Sequence, residues 1–140
     1  MDSWKTITEI RNTIEPLLRK FIRQTMRSRY GKSIWIKKVL EAIPQVERDR
    51  LVGVDADTIL NNHLYLTNLR EVLNKFWEDF KFLETGERKS QITKIQFLTL
   101  IDTVNDNRQD AHAKEINEAQ MDSLKISAKH INDILLEYIS

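Results

Sequence analysis

Only three glycines and two prolines stand among 140 residues, and that scarcity limits the fold more than any other feature. A meander of short strands needs a turn roughly every 8–12 residues, and such turns draw on glycine and proline for their backbone angles. This chain cannot supply them. Long helices joined by a few turns remain, and the sequence predicts an all-α fold.

The apolar spacing locates those helices. From Trp4 to Tyr30, the residues Ile7, Ile10, Ile14, Leu17, Leu18, Phe21, Ile22 and Met26 recur at steps of three and four, as on one helix face. Pro16 should kink or restart this helix, since a proline ring is tolerated at a first turn but not in an interior. "SIWIKKVLEAI" predicts a shorter helix stopped by Pro44, and "PQVERDRL" a polar helical turn after it. Residues 53–62, "GVDADTILNN", lose the helical period and are expected to form the longest loop. The strongest helical pattern is "HLYLTNLREVLNKFWEDFKFL", with Leu66, Leu69, Leu73, Phe76, Trp77 and Phe80 on a stripe. Gly86 should end it, and Ser90 is the expected N-cap of "QITKIQFLTLIDTVNDNRQDAHA". There Ile95, Leu98, Ile101, Val104 and Arg108 are expected to share a face, so that an apolar stripe runs into an arginine. Asn117 and Gln120 are spaced as a capping box for a last helix through Met121, Leu124, Ala128, Ile131, Leu135 and Tyr138. The expectation is one domain over residues 1–140, a bundle of about four main helices plus one or two short ones. A chain of this size buries roughly 68–70% of its unfolded surface, enough for a core without metal or disulfide.

Several chemistries are excluded early. With no cysteine there is no thiol catalysis, iron–sulfur cluster or cysteine-rich zinc site, and the usage agrees with a reducing, cytoplasmic setting. The opening "MDSWKTITEIRNTIEP" is charged from the start, and no segment nears the ~20 apolar residues of a bilayer span, so no membrane association is expected. Gly31, Gly53 and Gly86 are isolated, which excludes a glycine-rich phosphate loop. His63 and His130 have no ligand spacing to His112, so neither metal nor other cofactor is expected. Arg11 and Asn12 form a pair with no histidine a turn later and read as surface.

Charge is uneven along the chain. Residues 1–50 hold 12 Lys and Arg against 6 Asp and Glu, whereas the remainder holds 10 against 15. In the basic third, Arg19, Lys20, Arg23 and Arg27 follow at helical spacing opposite Leu18, Phe21 and Ile22, as one positive stripe. Such a stripe can track the phosphates of RNA, and it can equally be a solvated helix face.

The densest polar chemistry lies in "NDNRQDAHAKEI", residues 105–116. Arg108 and His112 are four apart, which in a continuing helix sets their β-carbons roughly 6 Å from each other on one face. A guanidinium can grip a phosphate with a bidentate fork while an imidazole moves a proton beside it. That pair suits phosphodiester cleavage without a metal. Asn105, Asn107, Asp106 and Asp110 could orient both groups. The same residues also fit a plain helix end, with the cations complementing the dipole and the amides helping the chain reverse.

Three stretches, taken in order, resemble a HEPN domain, the α-helical family named for higher eukaryotes and prokaryotes nucleotide-binding proteins. "IEPLLRKFIRQTMRSRYGKSIW" resembles the opening helix of such domains at the ends of larger defence and RNA-processing proteins. "LYLTNLREVLNKFWEDF" resembles the middle helix, and "LIDTVNDNRQDAHAKEI" the signature region before the last one. The resemblance implies a metal-independent endoribonuclease working at a cleft between two protomers, with RNA as substrate. It places His112 at the ribose hydroxyl or leaving oxygen, Arg108 on the transition state, Asn107 as orienting partner and Asp102 or Asp106 as acidic neighbour. An antitoxin or a fused regulatory domain would be the further partner. The signature is a variant one: three residues, "QDA", separate Arg108 from His112 where the family has four to six, and Asn107 precedes the arginine. Members with altered signatures keep the fold and serve in binding or assembly.

Overall fold

Helix α1, Ser3–Tyr30, is the axis around which the other elements pack. Its inward face is the one that the spacing predicts: Ile7, Ile14, Leu18, Phe21, Ile22 and Met26 are buried, with Ile10 and Leu17 at the margin. Pro16 does not restart the helix. It sits on the exposed side next to exposed Asn12 and Thr13, where a carbonyl robbed of its helical partner can turn to water. The helix stops at Gly31, whose φ of 88° is a left-handed angle open to glycine without strain. In this computed structural model the backbone is described for residues 3–86, 91–113 and 116–139, and side chains for 5–86, 91–106 and 116–139.

Two short helices follow, α2 (Trp35–Leu40) and α3 (Gln45–Asp49), separated at Pro44 as the sequence predicts. The expected loop at residues 53–62 is instead mostly ordered into turns of helix. Asp55 accepts from the Thr58 N–H at 3.1 Å and the Thr58 hydroxyl at 2.7 Å, which starts α4 (Ala56–Thr58). A turn of π-helix, Ile59–His63, continues it and buries Ile59 and Leu60. Its i→i+5 bonding explains the missing 3.6-residue period.

The middle helix is corrected too. It is three pieces, α5 (Leu66–Lys75), α6 (Trp77–Phe80) and α7 (Phe82–Thr85), broken at Phe76 and Lys81. Apolar residues near its end surround the helix rather than line one face. The breaks aim each at its own partner: Phe76 meets the Tyr30 ring edge-on at 6.2 Å, Trp77 meets Phe97 at 6.4 Å, and Phe80 meets Phe21 at 5.6 Å.

Helix α8 spans Lys94–Ala113 and so begins after the predicted cap at Ser90, which lies outside the described residues. Thr93 and Gln96 close a reciprocal box instead, with bonds of 3.0 and 3.2 Å. Within α8, Leu98, Ile101 and Val104 are buried with Phe97, but Ile95 is 78% exposed, against expectation. Each three-residue step turns a helix back by about 60°, so a stripe drawn from 95 to 104 spans too much of the cylinder to be all inward. Helix α9, Glu118–Tyr138, opens with the predicted Asn117–Gln120 box and packs along both α8 and α1. The described residues contain no strand, and the buried side chains form one cluster. The fold is an all-α bundle.

Candidate functional site

Helix α8 carries the polar stretch that begins at Asn105, and it packs against α9, α5 and α1. Arg70 reaches from α5 to Asp102 with bonds of 3.0 and 3.4 Å and also to Glu71 at 2.8 Å. These partners, Asp102 foremost, hold the guanidinium even more firmly in its charged form. Asn105 donates to the Thr67 hydroxyl at 3.3 Å. Asp102 and, from the polar cluster, Asn105 thus tie α8 to α5, while Asp106 is exposed. The backbone of α8 stays helical through positions 108 and 112, which lie one turn apart. The side chains of Asn107, Arg108, Asp110 and His112 lie outside the described residues.

The basic stripe on α1 is not one uniform row. Arg19 turns inward: its Nε and Nη2 donate to the Leu64 carbonyl at 3.2 and 2.8 Å, and Nη2 also reaches buried Glu15 at 2.9 Å. Arg23 pairs with Asp57 at 2.8 Å and lies over the Trp35 ring, 5.9 Å from its centroid. Lys20 is exposed and Arg27 half-buried.

The inward turn of Arg19 has a local cause. The π-helical turn ends at Leu64 with extended angles, φ −108° and ψ 121°, so that the Leu64 carbonyl leaves the helical bonding pattern. A buried carbonyl needs a donor, and Arg19 supplies two. The segment 63–65 is thereby pinned to α1.

Beside this pinned segment lies a cavity of about 200 Å³ that spacing along the sequence does not reveal. It is lined by Glu47 and Arg50 of the α3 region, by His63, Tyr65 and Asn68 around the start of α5, and by buried Ile43 and Leu51. Asn68 is fixed at both ends, accepting from the Tyr65 N–H at 3.0 Å and donating to Glu47 at 3.2 Å. The histidine and the arginine are thirteen positions apart on different elements, and only the break between α3 and α5 sets them around one space. A histidine and tyrosine two apart, at the edge of an apolar run, were the available signal.

Among the described residues no group of three His, Asp or Glu side chains is placed to hold a metal ion, and no helix is long and apolar enough to cross a membrane. Comparison with protein-family models, curated proteins and solved structures gives no match.

Proposed function

We propose that this chain is a HEPN-type, metal-independent endoribonuclease, acting as a dimer in the cytoplasm as the effector of a toxin or defence system. The observation that carries the reading is the run of α8 as one helix through Arg108 and His112, on an all-α bundle whose sequence resembles the family in three stretches in the right order. In the reaction the ribose 2′-oxygen bonds to phosphorus as its proton leaves, and the bond to the 5′-oxygen breaks as that oxygen gains a proton. A cyclic phosphate end and a free 5′-hydroxyl result. His112 moves the proton and Arg108 neutralises the charge gathering on the phosphoryl oxygens, with Asn107 orienting them. Asp102, Asp106 and Asp110 are supporting neighbours, and Lys20 and Arg27 are the parts of the basic stripe that meet RNA.

One observation favours a second reading, a catalytically silent HEPN module that binds RNA, nucleotide or a partner chain within a larger protein. Arg19 and Arg23, half of the cations meant to hold RNA, are engaged with Glu15, Leu64 and Asp57. The two readings separate in one assay. Purified protein and its His112→Ala variant are incubated in EDTA with structured and unstructured RNA, and the ends are analysed for cyclic phosphate. The ribonuclease reading expects cleavage that falls about 10²–10⁴-fold in the variant. Intact RNA with a folded, dimeric wild type would favour the silent module.

A further inference from the structure

We propose that the cavity between α3 and α5 is a binding site for a small phosphomonoester carrying a planar ring. The inference stands on that cavity and does not rest on the ribonuclease reading.

The cavity is built rather than incidental. Its wall at His63–Tyr65 is held by two hydrogen bonds from Arg19, itself paired with a buried carboxylate. A buried ion pair adds little net stability, and what this one does is fix a backbone carbonyl next to the cavity. The same wall ends a π-helical turn, an arrangement that recurs at functional sites. On the same wall Asn68 is locked by its two bonds, to the Tyr65 N–H and to Glu47, and so ties the start of α5 to α3 across the cavity.

The side chains left to meet a ligand are of complementary kinds. Arg50 is exposed and makes no ion pair with a described residue, although it shares the cavity with a carboxylate. His63 likewise has no hydrogen-bonded partner among the described residues. These two donors come from different elements and can both point to one anion. A phosphate, with three outer oxygens, accepts a bidentate guanidinium and an imidazole together better than a two-oxygen carboxylate does. Tyr65 is 57% exposed at the rim, where a ring can stack, and Ile43 with Leu51 gives an apolar base. At about 200 Å³ the space is below the range of sites for drug-sized molecules, and it suits one phosphate and one ring.

The test is calorimetric titration of the full chain with phenyl phosphate, inorganic phosphate and benzoate. Phenyl phosphate is expected to bind best, and Arg50→Ala to weaken it about tenfold or more, the loss of one charge-assisted contact. Tyr65→Ala should weaken phenyl phosphate but leave inorganic phosphate unchanged. Glu47→Gln should tighten both several-fold, because it removes a like charge. Arg29→Ala, an exposed arginine outside this cavity, should change nothing. No binding of any probe, binding indifferent to Arg50 and Tyr65, or benzoate bound as tightly as phenyl phosphate would each overturn the assignment. None of these probes is a substrate for RNA cleavage and His112 is untouched, so either reading can fail without the other.

Discussion

At the scale of single residues, two side chains of α1 show how far a charge pattern can mislead and where a pH dependence arises. Tyr30 donates to Asp79 at 2.5 Å, and this bond, then burial and the nearby charges of Asp79 and Glu41, push its hydroxyl up to about 12 against the opposing pull of Arg29. The folded state holds that proton more tightly than the unfolded chain does. Its contribution to stability is therefore complete below about pH 10 and fades as pH rises through about 12. Tyr30→Phe is expected to cost about 1 kcal/mol at neutral pH, a low figure for a hydrogen bond to a charged group because the site is part-exposed. Denaturant melts of both proteins should converge as pH climbs through that window; parallel curves would show that Asp79 is not the cause. Arg19 shows the limit of spacing. Along the sequence it belongs to a basic row, yet the carbonyl that claims it stands 45 residues away, and nothing local records that Leu64 would leave its helix unpaired.

Elements were more legible than residues. The α1 stripe, the stop at Pro44, the end near Gly86 and the Asn117–Gln120 box all follow from local rules of period and capping. Ile95 turns outward by ordinary helix geometry, whereas the other misses were departures from a regular α-helix: the π-helical turn and the breaks at Phe76 and Lys81. Each is settled by which distant side chain needs a partner. Glu84 is an example with a measurable consequence. It accepts from the Trp77 indole at 3.2 Å and from the Lys94 N–H at 3.0 Å, so it joins α6 and α7 to the first turn of α8. The Lys94 N–H above all, and then the indole, hold its carboxyl below the usual range. Stabilisation from this carboxylate is present above its unfolded value and is lost as pH falls through the lower, folded one. Glu84→Gln should melt below the wild type at pH 7, with the gap closing in acid; a gap that stays constant with pH would mean that shape, not charge, matters there. As for the candidate site, the helix bearing Arg108 and His112 was readable from sequence, whereas the cavity of Arg50 and His63 was not, because its walls are contiguous only in space.

Over the whole molecule, one aromatic layer ties early elements to late ones. Phe21 is fully buried, with ring centroids 5.6 Å from Phe80, 5.9 Å from Phe82 and 6.3 Å from Tyr138. Replacing it removes contacts to α6, α7 and α9 at once. Phe21→Ala should cost about 3–5 kcal/mol, a large part of the 5–15 kcal/mol typical of a domain, read as a drop in the urea midpoint without a change in slope. A loss under about 1 kcal/mol would mean that the layer repacks.

The same layer sets a clock on biosynthesis. Gln24 of α1 bonds to the Tyr138 carbonyl, 114 residues further along, and α1 packs against α9 for much of its length. A ribosome adding about 5–20 residues per second needs roughly 6 to 23 s to travel that far. Until that interval ends, the part of the apolar face of the first helix that α9 covers has no partner, although α2, α5, α6 and α8 pack on the rest earlier. For the nascent chain, α1 is a hydrophobic surface waiting for a lid, which is the kind of segment that chaperones at the exit tunnel bind.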